Sequence, residues 1–243
     1  MRRVLLLSLL FILLVGACAP AAATEAPADV TGEPTSSPEA EEPTAQPVSL
    51  GPAEEAVIKQ LAENLSLEES DISLVSSEEA EFGDACLDVE VEGMLCAQVI
   101  TPGHVIVLEA DGIRYTYHTS EDGSRIQPAT PALAWKREGG IAGFCDVLTV
   151  FRSGEVFTSN CKSDGEGKMG TFANLLSSEE VSQFNDWMST FGDAELDASD
   201  PKGVADRMVV TLEVLGSGDE SPTEAEQQEL FEFAQDLYTK SSR

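Results

Sequence analysis

From Val4 to Val15 the chain is apolar but for Ser8, and Met1-Arg2-Arg3 precedes the run. About twelve residues are too few to span a bilayer core as a helix, which takes about 20. A cationic start, a short apolar stretch and the small residues Gly16-Ala17 form an export signal instead. The positive flank stays inside and orients the segment. That address constrains everything downstream. The remaining chain is expected to fold outside the cytoplasm, where disulfides form and persist. Charge narrows the function. Against 44 acidic side chains stand 14 basic ones, a net charge of −30. Neutralising phosphates takes a local Lys/Arg surplus, so nucleic acid is excluded as a partner. Two histidines argue against a His-rich metal centre. No metal and no cofactor is expected.

Val15-Gly16-Ala17-Cys18 resembles the lipobox of bacterial lipoproteins. The resemblance implies a signal peptide over residues 1–17, a diacylglyceryl group on the Cys18 thiol, cleavage before Cys18 and acylation of the new amine. Each buried lipid methylene contributes about 0.8 kcal/mol, so two or three chains anchor far more firmly than one. An anionic leaflet repels an acidic body. The protein is therefore expected to meet the membrane through the lipid on Cys18 alone. The location implied is the outer face of the cytoplasmic membrane or the cell surface. After Cys18, residues 19–52 hold seven of the twelve prolines and no Lys or Arg. Such a stretch buries too little apolar surface to offset chain entropy. Residues 18–52 are expected to be the lipidated cysteine and a disordered stalk.

Residues 53–127 and 132–243 are expected to form two small α+β domains, each a mainly antiparallel sheet packed with one or two helices. In the first, Gly51-Pro52 can start a helix, and Val57, Ile58, Leu61 and Leu65 recur at helical spacing. Strands are expected around Ile72–Leu74 and over 97–101, the latter stopped by Pro102-Gly103. Two more flank the Asp111-Gly112 hairpin signal. Ser76 to Glu81 reads as a solvated edge. Helix followed by meander resembles cystatin and PepSY-type modules. Pro128 and Pro131 bracket the boundary. Beyond it, 133–137, 144–151 and 156–160 read as strands, with Arg152-Ser153-Gly154 as a turn. Ser177-x-x-Glu180 is a capping box opening a stripe of Val181, Phe184, Met188 and Phe191, closed by Gly192. Met208, Val210, Leu212 and Val214 alternate as a strand. Ser221-x-x-Glu224, with Pro222 at the first helical position, opens the last helix, which buries Leu230, Ala234 and Leu237.

Setting Cys18 aside leaves four cysteines. Three pairings are possible, and the two local ones are expected. Cys145 and Cys161 stand symmetrically about Ser153, the centre of the proposed turn, so a hairpin in that register sets them opposite each other. Cys86 and Cys96 flank a loop rich in Asp, Glu and Gly. Neither pair has the CxxC spacing of a zinc or redox site.

No GxSxG, HExxH, P-loop or GxGxxG occurs. His104 and His118 could each serve a serine nucleophile, but no local signature selects a serine. Asp193, Asp197, Asp200 and Asp206, and the Asp164-Gly165-Glu166-Gly167 segment, lack the EF-hand alternation and read as solvated loops. Trp135 and Trp187 read as core. Gly139-Gly140-Ile141-Ala142-Gly143 stands out, because three glycines in five residues open backbone geometry closed to other residues. A strand ending in this motif is followed by a strand pair, a helix, an alternating strand starting at Asp206-Arg207-Met208, and a final helix. Over about 132–240 this order resembles emfourin-type inhibitors of thermolysin-like metalloproteases. The Cys145/Cys161 pair, the acidic stretch near 193–206 and the first domain depart from the simple form of that family. The resemblance implies a partner-binding segment at Gly139, Gly140, Ile141, Ala142 and Gly143. The reading that follows is a surface-anchored, non-enzymatic protein-binding module that inhibits a secreted metalloprotease by occluding its cleft. The alternatives are an envelope scaffold or adhesion subunit, and a hydrolase dependent on His104 or His118.

Overall fold

The computed structural model describes residues 50–160 and 171–241, which belong to one compact unit, Val48–Arg243. The expected signal peptide, Cys18 and most of the stalk lie outside the described residues. Two antiparallel sheets, of four and six strands, and three helices make an α+β fold.

Helix α1 (Pro52–Leu65) starts with Gly51 as its N-cap and Pro52 in the first turn, where a missing N–H costs nothing. It ends at Ser66 in the left-handed region (φ 56°), whose N–H returns to the last turn. Ala53, Val57, Ile58 and Leu61 face the first sheet and pack on Ile106, Leu108, Tyr115 and Tyr117. That sheet runs in chain order: β1 (Ser73–Phe82), β2 (Thr101–Ala110), β3 (Ile113–Ser120) and β4 (Ile126–Pro128). Asp111-Gly112 makes the expected tight turn, both residues at positive φ. The Ser- and Glu-rich β1 is an edge strand, and its charges keep that edge from pairing further.

The strand expected over 97–101 is not formed. Residues 97–100 are irregular, and β2 begins at Thr101 and runs straight through Pro102-Gly103. Pro102 opposes Glu81 of β1 but lies one residue beyond the last pairing with β3, where no ladder bond needs its N–H. Gly103 is required for a different reason than a turn. A Cβ there would lie 1.8 Å from the Thr119 carbonyl oxygen on β3.

The second sheet has the order β8-β7-β6-β5-β10-β9, comprising β5 (Pro131–Gly139), β6 (Phe144–Phe151), β7 (Glu155–Asn160), β8 (Thr171–Leu175), β9 (Ala194–Asp197) and β10 (Met208–Val214). Strand β9 lies in what reads as an acidic loop, because Ala194 and Leu196 leave too short an alternation to signal a strand. Helices α2 (Ser178–Thr190) and α3 (Glu224–Ser241) cover one face. Phe184, Met188, Leu230, Ala234 and Leu237 pack there on Leu133, Trp135, Leu148, Val150, Leu212 and Val214.

The capping box at Ser177 and Glu180 is reciprocal, as expected. The box on α3 sits two residues later than expected. Thr223 caps the helix, its N–H and hydroxyl donating to Glu226 at 2.7 and 2.6 Å. Ser221-x-x-Glu224 and Thr223-x-x-Glu226 both satisfy the motif. The parallel bridge Phe191↔Glu220 holds the chain extended into Ser221, and the later box wins. Gly192 does not close α2 with a left-handed turn either; Phe191 is an extended C-cap. The orphan carbonyls of the last turn are met from outside by the 216–220 segment. Ser217 N–H donates to Met188 O (2.8 Å), Gly218 N–H to Phe191 O (2.9 Å) and Glu220 N–H to Thr190 O (3.2 Å). Gly216 and Gly218 permit this approach, since a Cβ on either would lie 2.0 Å from a helix carbonyl oxygen. Arg152 adds a fourth donor, Nη2 to Met188 O at 3.2 Å.

The two sheets meet at Glu155, the first residue of β7 and only 3% exposed. Its Oε1 accepts from Asn64 Nδ2 (2.7 Å), Gln60 Nε2 (3.2 Å) and Tyr117 Oη (3.2 Å). Its Oε2 accepts from Ser153 Oγ. Burial raises the Glu155 pKa above the ordinary carboxylate value, even though the Ser153, Gln60 and Tyr117 donors pull the other way. Burial likewise raises Tyr117, with the adjacent Glu155 charge adding to it.

The Cys86–Cys96 disulfide closes a loop that lies across both sheets. Leu87 O is 2.7 Å from His118 Nδ1 on β3. Val89 and Val91 pack on Phe151 and Phe157 of the second sheet. Lys136 on β5 donates to Glu92 at 3.0 Å.

Two outcomes follow. Glu155→Ala strands four donors, three of them buried, and is expected to cost about 2–4 kcal/mol in urea unfolding. A carboxyl whose folded pKa is raised favours folding most when protonated. Wild type should therefore gain stability relative to Glu155→Gln as pH falls from neutral towards 4.5, and lose that gain as pH rises through the raised folded pKa. Unfolding of both proteins at several pH values measures the difference. Removing the loop closure with Cys86→Ala/Cys96→Ala is expected to cost about 2–4 kcal/mol, read as a drop in the thermal midpoint.

Candidate functional site

Gly139 ends β5 and Phe144 begins β6, so the glycine motif is the tip of a hairpin. Gly139, Gly140 and Gly143 have φ of 88°, 67° and 58°. These left-handed values let four residues reverse the chain without stressing either strand. Gly143 N–H donates to Gly140 O at 2.9 Å and closes the turn. Gly140 N–H donates to Arg207 O at 3.2 Å, tying the tip to the segment before β10. Gly139 has no room for a side chain there, since a Cβ would lie 2.4 Å from Arg207 O. Ile141 stands at the apex and is 91% exposed. Among the described residues it is the most exposed of the large hydrophobic side chains.

The base of the tip is rigid. Arg137 donates through Nε and Nη2 to Asp146 Oδ2 at 3.0 and 2.6 Å, across the directly opposed pair Arg137↔Asp146. Asp146 is buried, and its Oδ1 accepts from Tyr238 Oη of α3 at 2.8 Å. The Arg137 guanidinium lies 4.2 Å from the Phe144 ring centroid and 5.4 Å from that of Trp135. On the other side, Asp200 holds Met208 N–H through Oδ2 (2.8 Å), while its carbonyl accepts from Arg207 Nε (2.6 Å). Sequence reading missed this buttress. The signal lay in the hairpin register, which sets Arg137 opposite Asp146 once the turn is placed at 140–143.

Cys86 and Cys96 are paired as expected. Cys145 is disulfide-bonded, and its expected partner Cys161 lies outside the described residues. The last ladder pair, Asp146↔Asn160, lies one step from Cys145 and carries the register expected about Ser153. The Asp164–Gly167 segment also lies outside the described residues. The other acidic stretch is used internally: Asp197 accepts from Ser199 N–H at 2.8 Å, beside the Asp200 contacts above. One set of metal-ligating atoms converges among the described residues, Asp84, Cys86 and Cys96, and its two sulfurs are joined in the disulfide.

His118 Nδ1 is engaged by Leu87 O, and its ring stacks on Phe82. His104 lies beside a Ser77–Glu54 pair in which the Ser77 hydroxyl donates to the carboxylate at 2.6 Å. That hydrogen bond holds the Glu54 pKa below its ordinary value. Trp135 is core, and Trp187 packs edge-on against Phe233 at the core margin. Among the described residues no helix is long and apolar enough to cross a membrane.

A family described as Domain of unknown function (DUF8738) matches residues 54–128, the stretch from α1 through β4. Comparison with curated proteins and with solved structures gave no match. The family match ends before the hairpin begins.

Gly139→Ala forces a Cβ into the Arg207 carbonyl at an unfavourable φ. It is expected to cost about 1–3 kcal/mol. Amide hydrogen exchange should then speed up at Gly140 and Gly143 more than in the core strands.

Proposed function

We propose that this protein is an extracytoplasmic, lipid-anchored binding module that acts through the 139–143 hairpin tip. The observation that carries the reading is Ile141, exposed at the apex of a turn whose backbone is fixed from both sides. An apolar anchor on a rigid base loses little conformational entropy when it enters a partner's cleft. The lipobox-like Cys18 and the paired cysteines support a site of action outside the cytoplasm.

The partner proposed is a secreted thermolysin-like metalloprotease, in keeping with the emfourin resemblance of 132–240. The mechanism is occlusion. A catalytic zinc keeps one position open for water or substrate. A protease cleaves a peptide drawn out into an extended conformation. The tip is tightly turned and hydrogen-bonded to itself and to Arg207, so it would fill the cleft without offering an extended bond. Ile141 would supply the apolar contact, and the Arg137–Asp146–Tyr238 cluster would hold the tip against distortion.

Steady-state cleavage of a peptide substrate by a thermolysin-like protease tests this with the full chain. Slowing at micromolar concentration is expected, with about a tenfold loss of potency in Ile141→Asp and a comparable loss in Gly140→Trp. Ile141→Asp changes only a side chain in solvent, whereas Gly140→Trp also strains the turn at its positive φ. Digestion of the wild-type chain, or equal potency of all three proteins, would refute the reading.

A further inference from the structure

The second sheet has a face that the helices do not cover. Half of it, over β6 and β7, lies beneath the disulfide loop, where Val89 and Val91 meet Phe157. The rest, over β5, β10, β9 and the adjoining part of β6, is left open by the described residues and forms a groove of about 610 Å³. Directly opposed residues share a face, so the ladders define two rows across it. One row is Val147, Lys136, Thr211, Asp197; the next is Thr149, Ala134, Glu213, Glu195. Glu90 and Glu92 of the disulfide loop form the facing wall.

The charge on this face is unbalanced in a specific way. Among the described residues Lys136 is the one cation lining the groove, and it is taken by Glu92 (3.0 Å) and Glu138 (3.4 Å). Glu213 and Glu195 are direct cross-strand partners. Like charges so opposed destabilise a sheet. The carboxylates do not converge on a point, as a metal cage would require; the converging set lies at Asp84, Cys86 and Cys96. They are spread along the strand instead, Glu195 and Asp197 two residues apart on an edge strand. Two residues of extended chain span about 6.6–6.8 Å, the repeat with which side chains of a neighbouring strand point to the same face.

We infer that this open face docks an extended, lysine- or arginine-bearing segment of a partner protein, whose alternate cationic side chains would pair with Glu195 and Asp197 and relieve the Glu213–Glu195 opposition. The floor of Ala134, Val147 and Thr149 accepts the aliphatic stems of such side chains, and the concave wall concentrates the field. Hydrogen bonds from Ser199, first its hydroxyl and then its N–H, keep the Asp197 pKa low and its carboxylate charged. This surface is separate from the apex of the hairpin, so the inference stands apart from protease inhibition.

The test is fluorescence anisotropy with the full chain and a labelled octapeptide of alternating Lys and Ser. Two variants carry equal charge reversals: Glu195→Lys/Glu213→Lys in the groove, and Glu224→Lys/Glu229→Lys on the exposed side of α3, across the sheet. The groove variant is expected to bind at least about tenfold more weakly than wild type, and the α3 variant within about threefold. Glu195→Gln/Glu213→Gln, which introduces no cation, should weaken binding several-fold and raise the thermal midpoint of the free protein. Equal weakening in the two reversal variants would mean that the peptide senses net charge alone. That outcome, or no binding by wild type at low salt, would overturn the inference.

Discussion

A carboxylate buried between two sheets is costly unless its oxygens are fully partnered, and Glu155 meets that condition only when both sheets are in place. Its donors come from α1 (Gln60, Asn64), from β3 (Tyr117) and from the turn before β7 (Ser153). Neither sheet alone supplies enough of them. Removed from the first sheet, Glu155 would keep Ser153 and little else. Removed from the second, Tyr117 and Asn64 would be left without an acceptor at the centre of an apolar surface. The hydrogen bonds thus act as a matching condition on how the sheets dock, while the apolar contacts of Leu65, which packs against both cores, supply bulk attraction.

The disulfide loop is a second fastening with a different character. Residues 83–100 contain little regular structure, so their order depends on closure by Cys86–Cys96 and on what they touch. Leu87 is fully buried at positive φ, a conformation a leucine holds only when its surroundings compensate. From there the loop reaches His118 in one sheet and Phe157 and Lys136 in the other. It therefore fixes how much of the second sheet stays open. The groove beside Glu92 is left open because the loop reaches β5 through the Glu92–Lys136 pair and does not continue over β10.

Local signals carried much of this into the sequence. The Asp111-Gly112 turn, the Arg152-Ser153-Gly154 turn, the Ser177 capping box and the Cys86/Cys96 pair depend on neighbours within about ten residues, and each was legible. So was the α+β class, since the alternating and helical stretches lie in separate runs. What was not legible depends on partners distant in the chain. Pro102-Gly103 reads as a stop, yet Gly103 is there because Thr119 passes close by. Gly192 reads as a helix stop, yet α2 is capped by a segment 25 or more residues downstream. Glu155 reads as one acid among 44, and nothing local distinguishes it from an exposed one. Ile141 was picked out through its glycines, but its exposure could not be read, because an isoleucine between glycines suits a core bulge as well as an apex.

The few cations matter more than their number suggests, because the fold consumes several of them. Arg137 is held by Asp146, Lys136 by Glu92 and Glu138, Lys240 by Glu180, and Arg114 by Glu109. Arg152 is buried against Met188 O and Ser217, and that burial lowers its pKa. The groove and the rest of the exposed surface then present charge of predominantly one sign. Such a body resists self-association, and its field draws in basic partners while turning acidic ones away. Steering of that kind selects by charge and leaves recognition to shape. In this fold, shape is offered in two places built on the same strand: β5 carries Lys136 along the groove and ends at Gly139, where the rigid tip begins. A partner that engaged both would have to match the geometry of β5, whose three residues from Lys136 to Gly139 span roughly 10 Å.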